Sequence, residues 1–178
     1  ATTSETFTVT VAAVNDDPTL AALANLTLDE DASEQTVNLA GITAGGSESQ
    51  PLRVTATSDN TDLIANPAVT YTSAEATGSL KFTPISDQSG SATITVTVED
   101  AGLDGDLSST SDNATTSETF TVTVAAVNDD PTLAALANLT LDEDASEPTV
   151  NRAGIPPGGR ERQPPAVTAP QYNPRPAP

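Results

Sequence analysis

Residues 1–34 recur unchanged as residues 114–147, so the chain carries one sequence module at a period of 113 residues and runs slightly more than once around it. Solenoid and propeller units repeat every roughly 20–50 residues, whereas this period matches the size of a domain that folds by itself. The chain therefore reads as a stretch of a tandem array of beads. The frame persists past the identical stretch, with Thr36, Val37, Asn38, Ala40, Gly41 and Ile42 answered by Thr149, Val150, Asn151, Ala153, Gly154 and Ile155. Four parts follow: 1–17 as the last strand of a preceding repeat, 18–130 as one complete repeat, 131–159 as the first strands of a following repeat, and 160–178 as a degenerate tail rich in Pro and Arg. Six prolines among the last fifteen residues remove the strand pattern, so disorder is expected there.

Within the complete repeat, apolar and polar residues alternate. The clearest run is Ala92-Thr93-Ile94-Thr95-Val96-Thr97-Val98, with apolar side chains on one face and threonines on the other, the signature of a half-buried strand. The same pattern appears in Phe7-Thr8-Val9-Thr10-Val11, in its copy at 120–124, and in Leu52-Arg53-Val54-Thr55-Ala56. Further candidates are 26–29, 36–42, 68–72 and 79–84, giving seven strands between Pro18 and Asp130. Leu20-Ala21-Ala22-Leu23-Ala24 is the nearest approach to helical spacing and is short. Seven short strands between turn residues predict an all-β, antiparallel, seven-stranded sandwich of immunoglobulin type, one complete repeat flanked by partial ones. The expected inward set is Leu26, Leu28, Val37, Leu39, Val54, Val69, Tyr71, Leu80, Phe82, Ile94, Val96, Phe120 and Val122. Residues 1–14 and the start of the following repeat cannot bury an apolar face alone, and they are expected to be poorly ordered or to pair with exposed sheet edges.

Composition narrows the chemistry. Cys, Met, Trp and His are all absent, which removes disulfides, thiolate or imidazole metal sites and the commonest general base, so no enzyme is expected. Up to residue 151 there are 24 acidic residues against two basic ones, Arg53 and Lys81. Such a surface repels a phosphate backbone and attracts cations, so nucleic acid is not a partner. The sequence has neither a run of 18 apolar residues nor a basic-then-apolar leader pattern at residue 1, so no membrane span or signal peptide is read in this piece.

The acidic residues gather at the module boundary. Asn15-Asp16-Asp17-Pro18 and its copy Asn128-Asp129-Asp130-Pro131 are each followed by a second acidic segment, Asp29-Glu30-Asp31 or Asp142-Glu143-Asp144. Asp87 falls in a loop between two strands, and Asp100 ends the strand that follows that loop. Two carboxylates about 4 Å apart repel by roughly 1 kcal/mol in water and about 4 kcal/mol at an effective dielectric near 20. A converging set is relieved by a cation, and Ca2+ suits it because it takes 6 to 8 oxygen ligands.

The segment Val11-Ala12-Ala13-Val14-Asn15-Asp16-Asp17-Pro18-Thr19 resembles the linker of cadherin-like repeats in large bacterial surface or secreted proteins of the adhesin type. The likeness extends through Thr27-Leu28-Asp29-Glu30-Asp31-Ala32 and through 89–102, and it covers most of residues 7–131. It implies a β-sandwich repeat at a bacterial cell surface or in the extracellular space, acting in adhesion as a spacer or stalk. It also implies calcium between repeats, held by Glu30, Asp87, Asn128, Asp129 and Asp130 at one junction, with Asp100 reaching the opposite one. One departure is Asp87-Gln88-Ser89, which lacks a carboxylate that the animal cadherins have there; Ser58-Asp59-Asn60-Thr61-Asp62 is a weak counterpart of their intradomain ligands.

Two plainer readings stand beside this one. Asn-Asp-Asp-Pro is good turn chemistry, and an acidic surface keeps a long array soluble. The run 100–106 does not satisfy an EF-hand loop and reads as an ordinary loop. The polar segment 101–117 is a candidate binding loop for a glycan or a protein, although it lacks aromatic residues to stack on a sugar. Asn25-Leu26-Thr27 and Asn113-Ala114-Thr115 match glycosylation acceptors, which is unremarkable in a chain so rich in Asn and Thr. The expected partners are the neighbouring repeats, with a surface glycan or protein, or an accessory place beside an enzyme domain, as the alternative.

Overall fold

Alternation builds β-strands here wherever a neighbouring strand is available. A computed structural model of the chain describes residues 1–130 and Thr140; the expected first strands of a following repeat and the tail lie outside the described residues. The chain divides into two units, Ala1–Ala125 and Ala126–Pro178. The first contains seven strands: β1 (Leu26–Asp29), β2 (Gln35–Ala40), β3 (Leu52–Ser58), β4 (Ala68–Thr70), β5 (Thr77–Phe82), β6 (Gly90–Asp100) and β7 (Thr115–Ala125). All of them fall inside the 18–130 span, and no helix occurs among the described residues.

The strands form a four-stranded sheet in the order β1-β7-β6-β3 and a three-stranded sheet in the order β2-β5-β4. The long central strand β6 pairs on one side with β7, from Gly90↔Val124 to Glu99↔Thr115, and on the other with β3, from Leu52↔Asp100 to Ser58↔Ile94. Its inward residues Ala92, Ile94, Val96 and Val98 are all 0–1% exposed. Its outward threonines face polar partners, as where Thr97 Oγ1 and Ser117 Oγ share a hydrogen bond of 2.8 Å. Arg53 on β3 reaches across to Glu99, its Nε donating to Oε2 at 3.1 Å.

One hydrophobic core takes residues from both sheets, with Leu39, Leu80 and Phe82 from the smaller and Ile94, Val96, Phe120 and Val122 from the larger. Every residue of the expected inward set belongs to this cluster or packs against it. Burying one such side chain stabilises by about 1.5–3 kcal/mol, so β6 and β7 hold much of the unit together.

The expectation of a wholly antiparallel arrangement needs one correction, because β1 runs parallel to β7, with Leu26↔Val122 through Asp29↔Ala125. The reason lies just upstream. Thr19 bridges Thr43 and the Ala21 amide donates to the Ala40 carbonyl at 2.9 Å, so this stretch begins on the smaller sheet beside β2. The backbone then crosses to the larger sheet, where Asn25 Oδ1 accepts from the Thr121 amide at 2.8 Å and starts β1. Strands from opposite ends of a repeat share no hairpin, and either direction is open to them. Leu20, in the stretch nearest to helical spacing, lies in no helix and is buried in the core. Residues 1–17 contain no strand, and residues 1–14 are exposed throughout.

Candidate functional site

The residues expected to carry chemistry fall at opposite ends of the large sheet. Asp87 precedes β6 and Asp100 ends it, and a strand of that length spans about 34 Å. The two therefore belong to separate sites.

At the end where β7 finishes, the chain leaves β1 through a tight turn. The Glu30 amide donates to the Ala125 carbonyl at 2.9 Å, which extends the parallel ladder by one residue and leaves Glu30 only 5% exposed. Asp31 follows with φ 63°, and Asp87 across from it has φ 58°. Asp tolerates this left-handed region better than most residues because its short side chain bonds locally. The Asp87 amide donates to Asp31 Oδ1 at 3.3 Å, and carboxylate oxygens of Asp31 and Asp87 lie within 4.8 Å of each other. Both residues are exposed, so their repulsion is about 1 kcal/mol or less in water. Asp31 was not in the expected ligand set, since the sequence does not reveal which acid of Asp29-Glu30-Asp31 turns toward Asp87. Asn128, Asp129 and Asp130 lie in the second unit, where Asn128 Nδ2 donates to the Asp129 carbonyl at 3.3 Å.

The opposite end is organised around a buried carboxylate. Asp100 is 0% exposed, and its Oδ1 accepts from the amides of Gly102 and Ala114, each at 2.9 Å. Asn15 Nδ2 adds contacts of 3.2 and 3.3 Å to its two oxygens and one of 3.1 Å to the Asp112 carbonyl. Asn15 is itself held, because Gln50 Nε2 donates to its Oδ1 at 2.7 Å and also to Glu48 Oε2 at 2.8 Å. A buried carboxylate is costly unless donors surround it, and here neutral amides do so. Both basic side chains among the described residues are engaged elsewhere, Arg53 with Glu99 and Lys81 with Glu34.

Two glycines let the linker approach. A Cβ on Gly45, whose φ is +87°, would stand 2.3 Å from the Asp17 carbonyl oxygen, and one on Gly46 would meet the Asp16 carboxylate. The Asp16 amide then reaches Glu48 Oε2 at 3.3 Å. Around this cluster, Gln50 Oε1, Asp112 Oδ1 and Asn113 Oδ1 are buried acceptors without a hydrogen-bond partner. Glu99, one residue before Asp100, has its carboxyl pushed below the ordinary 4.5, first by the Arg53 hydrogen bond and then by Asn113.

The candidate binding loop is shorter than expected, because β7 begins at Thr115 and leaves only 101–114 outside the strands. It is tied to itself: Asp104 Oδ1 accepts from the Asp106 amide, Asp106 Oδ1 from the Ser108 amide, and Asp112 Oδ2 from the Leu103 amide, each at 2.9 Å. The Ser108 contacts hold the Asp106 carboxyl below its usual range. Glu48, Gln50 and Pro51 with Gly102, Leu103 and Asp104 line a cleft of about 340 Å³ beside it. The weak intradomain candidate is occupied by backbone contacts, with Asp59 Oδ1 accepting from the Thr93 amide at 2.7 Å and Asn60 Nδ2 donating to the Ser91 carbonyl at 3.2 Å.

No family model and no curated protein matches the chain. Among solved structures it is similar to the titin domains Z1Z2 in complex with telethonin, with 16% identity, a TM-score of 0.38, and coverage of 69% of this chain and 55% of that one. It is also similar to the ASH / PapD-like domain of human CEP192 (PapD-like domain 7), with 12% identity, a TM-score of 0.37, and coverage of 71% and 98%. The chain thus spans about half of the titin chain's length, and likenesses this distant carry no argument about its activity or partners.

Proposed function

We propose that the chain is a non-catalytic structural repeat of an array at a bacterial cell surface or in the extracellular space, in which each bead receives the linker of the bead before it. The observation that carries this reading is the double use of one sequence. Residues 115–125 form the last strand of the bead, and the copy of the residues that follow them, Asn15-Asp16-Asp17, docks on the end of the bead that contains Asp100. A segment that closes one bead and then clamps the next sets spacing and angle along a stalk.

Calcium stiffening belongs to the same proposal. Asp31 and Asp87 face each other without a basic side chain between them, and the Asp100 end carries buried oxygen acceptors, so both ends suit an oxygen-seeking cation. A cation at ten times its dissociation constant adds about 1.4 kcal/mol per site. The test is a polypeptide of three 113-residue repeats, studied by small-angle scattering and thermal melting. Evenly spaced beads whose spacing loosens on Asn15→Ala at each equivalent linker support the stalk; beads already independent before substitution overturn it. A rise in Tm with Ca2+ but not Mg2+, removed by Asp31→Ala or Asp87→Ala, supports the cation, and an identical response of the variants rejects it.

The cleft beside 101–114 favours a second reading, a module that binds a glycan or protein. Binding that survives Asn15→Ala but disappears on deletion of residues 103–112 would select it.

A further inference from the structure

Where the linker meets the bead, one peptide bond joins an exposed aspartate to a buried proline. Asp17 is exposed, whereas Pro18 has a relative exposure below 2%. The Asp17 carboxylate takes no hydrogen bond and no ion pair from any described residue. We propose that the Asp17-Pro18 bond is a self-cleavage site, cut in mild acid by the Asp17 carboxylate and shielded while the linker is docked at the Asp100 end.

The chemistry is intramolecular. A carboxylate oxygen of Asp17 attacks the carbonyl carbon of the same residue and closes a cyclic anhydride. The C–N bond breaks, and the Pro18 nitrogen leaves with the electron pair and takes up a proton supplied by the acid. One water then opens the anhydride and leaves Asp17 with two carboxyl groups, so the sum is hydrolysis of one peptide bond. Proline suits the leaving side because its nitrogen is a tertiary amide without an N–H and departs as a secondary amine. Of the other aspartates in the chain, only Asp130 precedes a proline.

The fold decides what the cut releases and what restrains it. On the Pro18 side, the Pro18 carbonyl accepts from Thr116 Oγ1 at 2.5 Å, the Thr19 amide donates to the Thr43 carbonyl at 3.0 Å, and Leu20 lies in the core. All seven strands come after the cut. The bead therefore keeps its fold with Pro18 as its first residue, and the severed residues are left tied to it through the contacts of Asn15 and Asp16. On the Asp17 side, Gly45 packs so closely that a Cβ there would stand 2.3 Å from the carbonyl oxygen and 3.0 Å from the carbonyl carbon. That contact covers part of the group under attack, and burial of the proline ring keeps water from the leaving nitrogen, so cleavage runs through local openings of the linker. The charged groups brought here are Asp16 of the linker, Glu48 of the segment before β3, Asp100 at the end of β6 and Asp112 of the loop after it, while β7 offers the uncharged Thr116. All four are acidic, which draws protons toward the bond.

The test holds the 178-residue chain at a mildly acidic pH that leaves its far-ultraviolet circular dichroism unchanged, and follows intact masses with time. The expected products are a piece ending at Asp17 and a piece beginning at Pro18 that retains the strand signal. Asp17→Glu must close a larger ring and is expected to slow this cut about tenfold or more. Asn15→Ala and Gly45→Ala loosen the docked linker through different contacts, and each is expected to quicken the cut about fivefold or more. Cleavage at the Asp130-Pro131 bond in the same sample shows that the acid suffices. A chain that stays whole after Asp17, a Glu variant cut as fast as the parent, or loosened variants cut no faster than the parent, each refutes the proposal.

Discussion

Residues 2–17 and 115–130 have the same sequence and opposite fates. The second begins as an interior strand with its apolar side chains sealed, whereas the first is exposed up to residue 14 and has no strand. Intrinsic preference is equal in the two, so the difference comes wholly from neighbours. A strand of alternating Thr and Val forms when β1 and β6 are on either side of it, and the copy without such flanks does not form one. The linker shows the converse, because Asn15 is ordered by Asp100, Asp112 and Gln50.

The widest separation between the copies is expected at the phenylalanines. Phe120→Ala should cost about 3–5 kcal/mol in denaturant unfolding, and Phe7→Ala should stay within about 0.5 kcal/mol. Equal losses would mean that residues 2–12 are already packed. Asp100→Ala comes next, since it leaves the amides of Gly102 and Ala114 without their acceptor at about 1–3 kcal/mol each. Asn15→Ala should cost less, about 1–2 kcal/mol, and should speed proteolysis within residues 1–17. Gly45→Ala combines an unfavourable φ of +87° with a clash on Asp17, so a loss of about 1–2 kcal/mol is expected, with the same rise in linker cleavage.

The smallest effect is electrostatic. The Glu99 carboxyl is lowered in the folded state, so its contribution is present above the ordinary 4.5 and fades as pH falls through the lowered value. Arg53 is half exposed, and its bond to Glu99 is correspondingly weak. Glu99→Gln should flatten the acid side of the stability curve by less than about 1 kcal/mol, and salt should shrink the difference further. An unchanged acid limb would assign that pH dependence to other carboxylates.

Much of the fold was legible because alternation reports burial directly. The runs at 92–98 and 120–124 became the interiors of β6 and β7, and Leu39, Leu80 and Phe82 turned inward as their spacing required. Pairing partners were not legible. The parallel placement of β1 depends on a crossing between sheets that Asn25 completes, and nothing in the local pattern encodes it. Leu63 and Ile64 escaped notice because they enter the core from a turn, held by their amides on the Asn60 carbonyl, where no period of two exists. Acidic clustering at the ends of the bead was visible in the sequence, but the roles of Asp31 and Asn15 followed only once the turns had been folded.

The clamp on Asp100 has a direction in time. Synthesis delivers Asn15 before Asp100, Asp112 and Ala114, so the amide that closes the bead is waiting when its last loop leaves the ribosome. A chain built this way closes its last loop onto a handle made earlier.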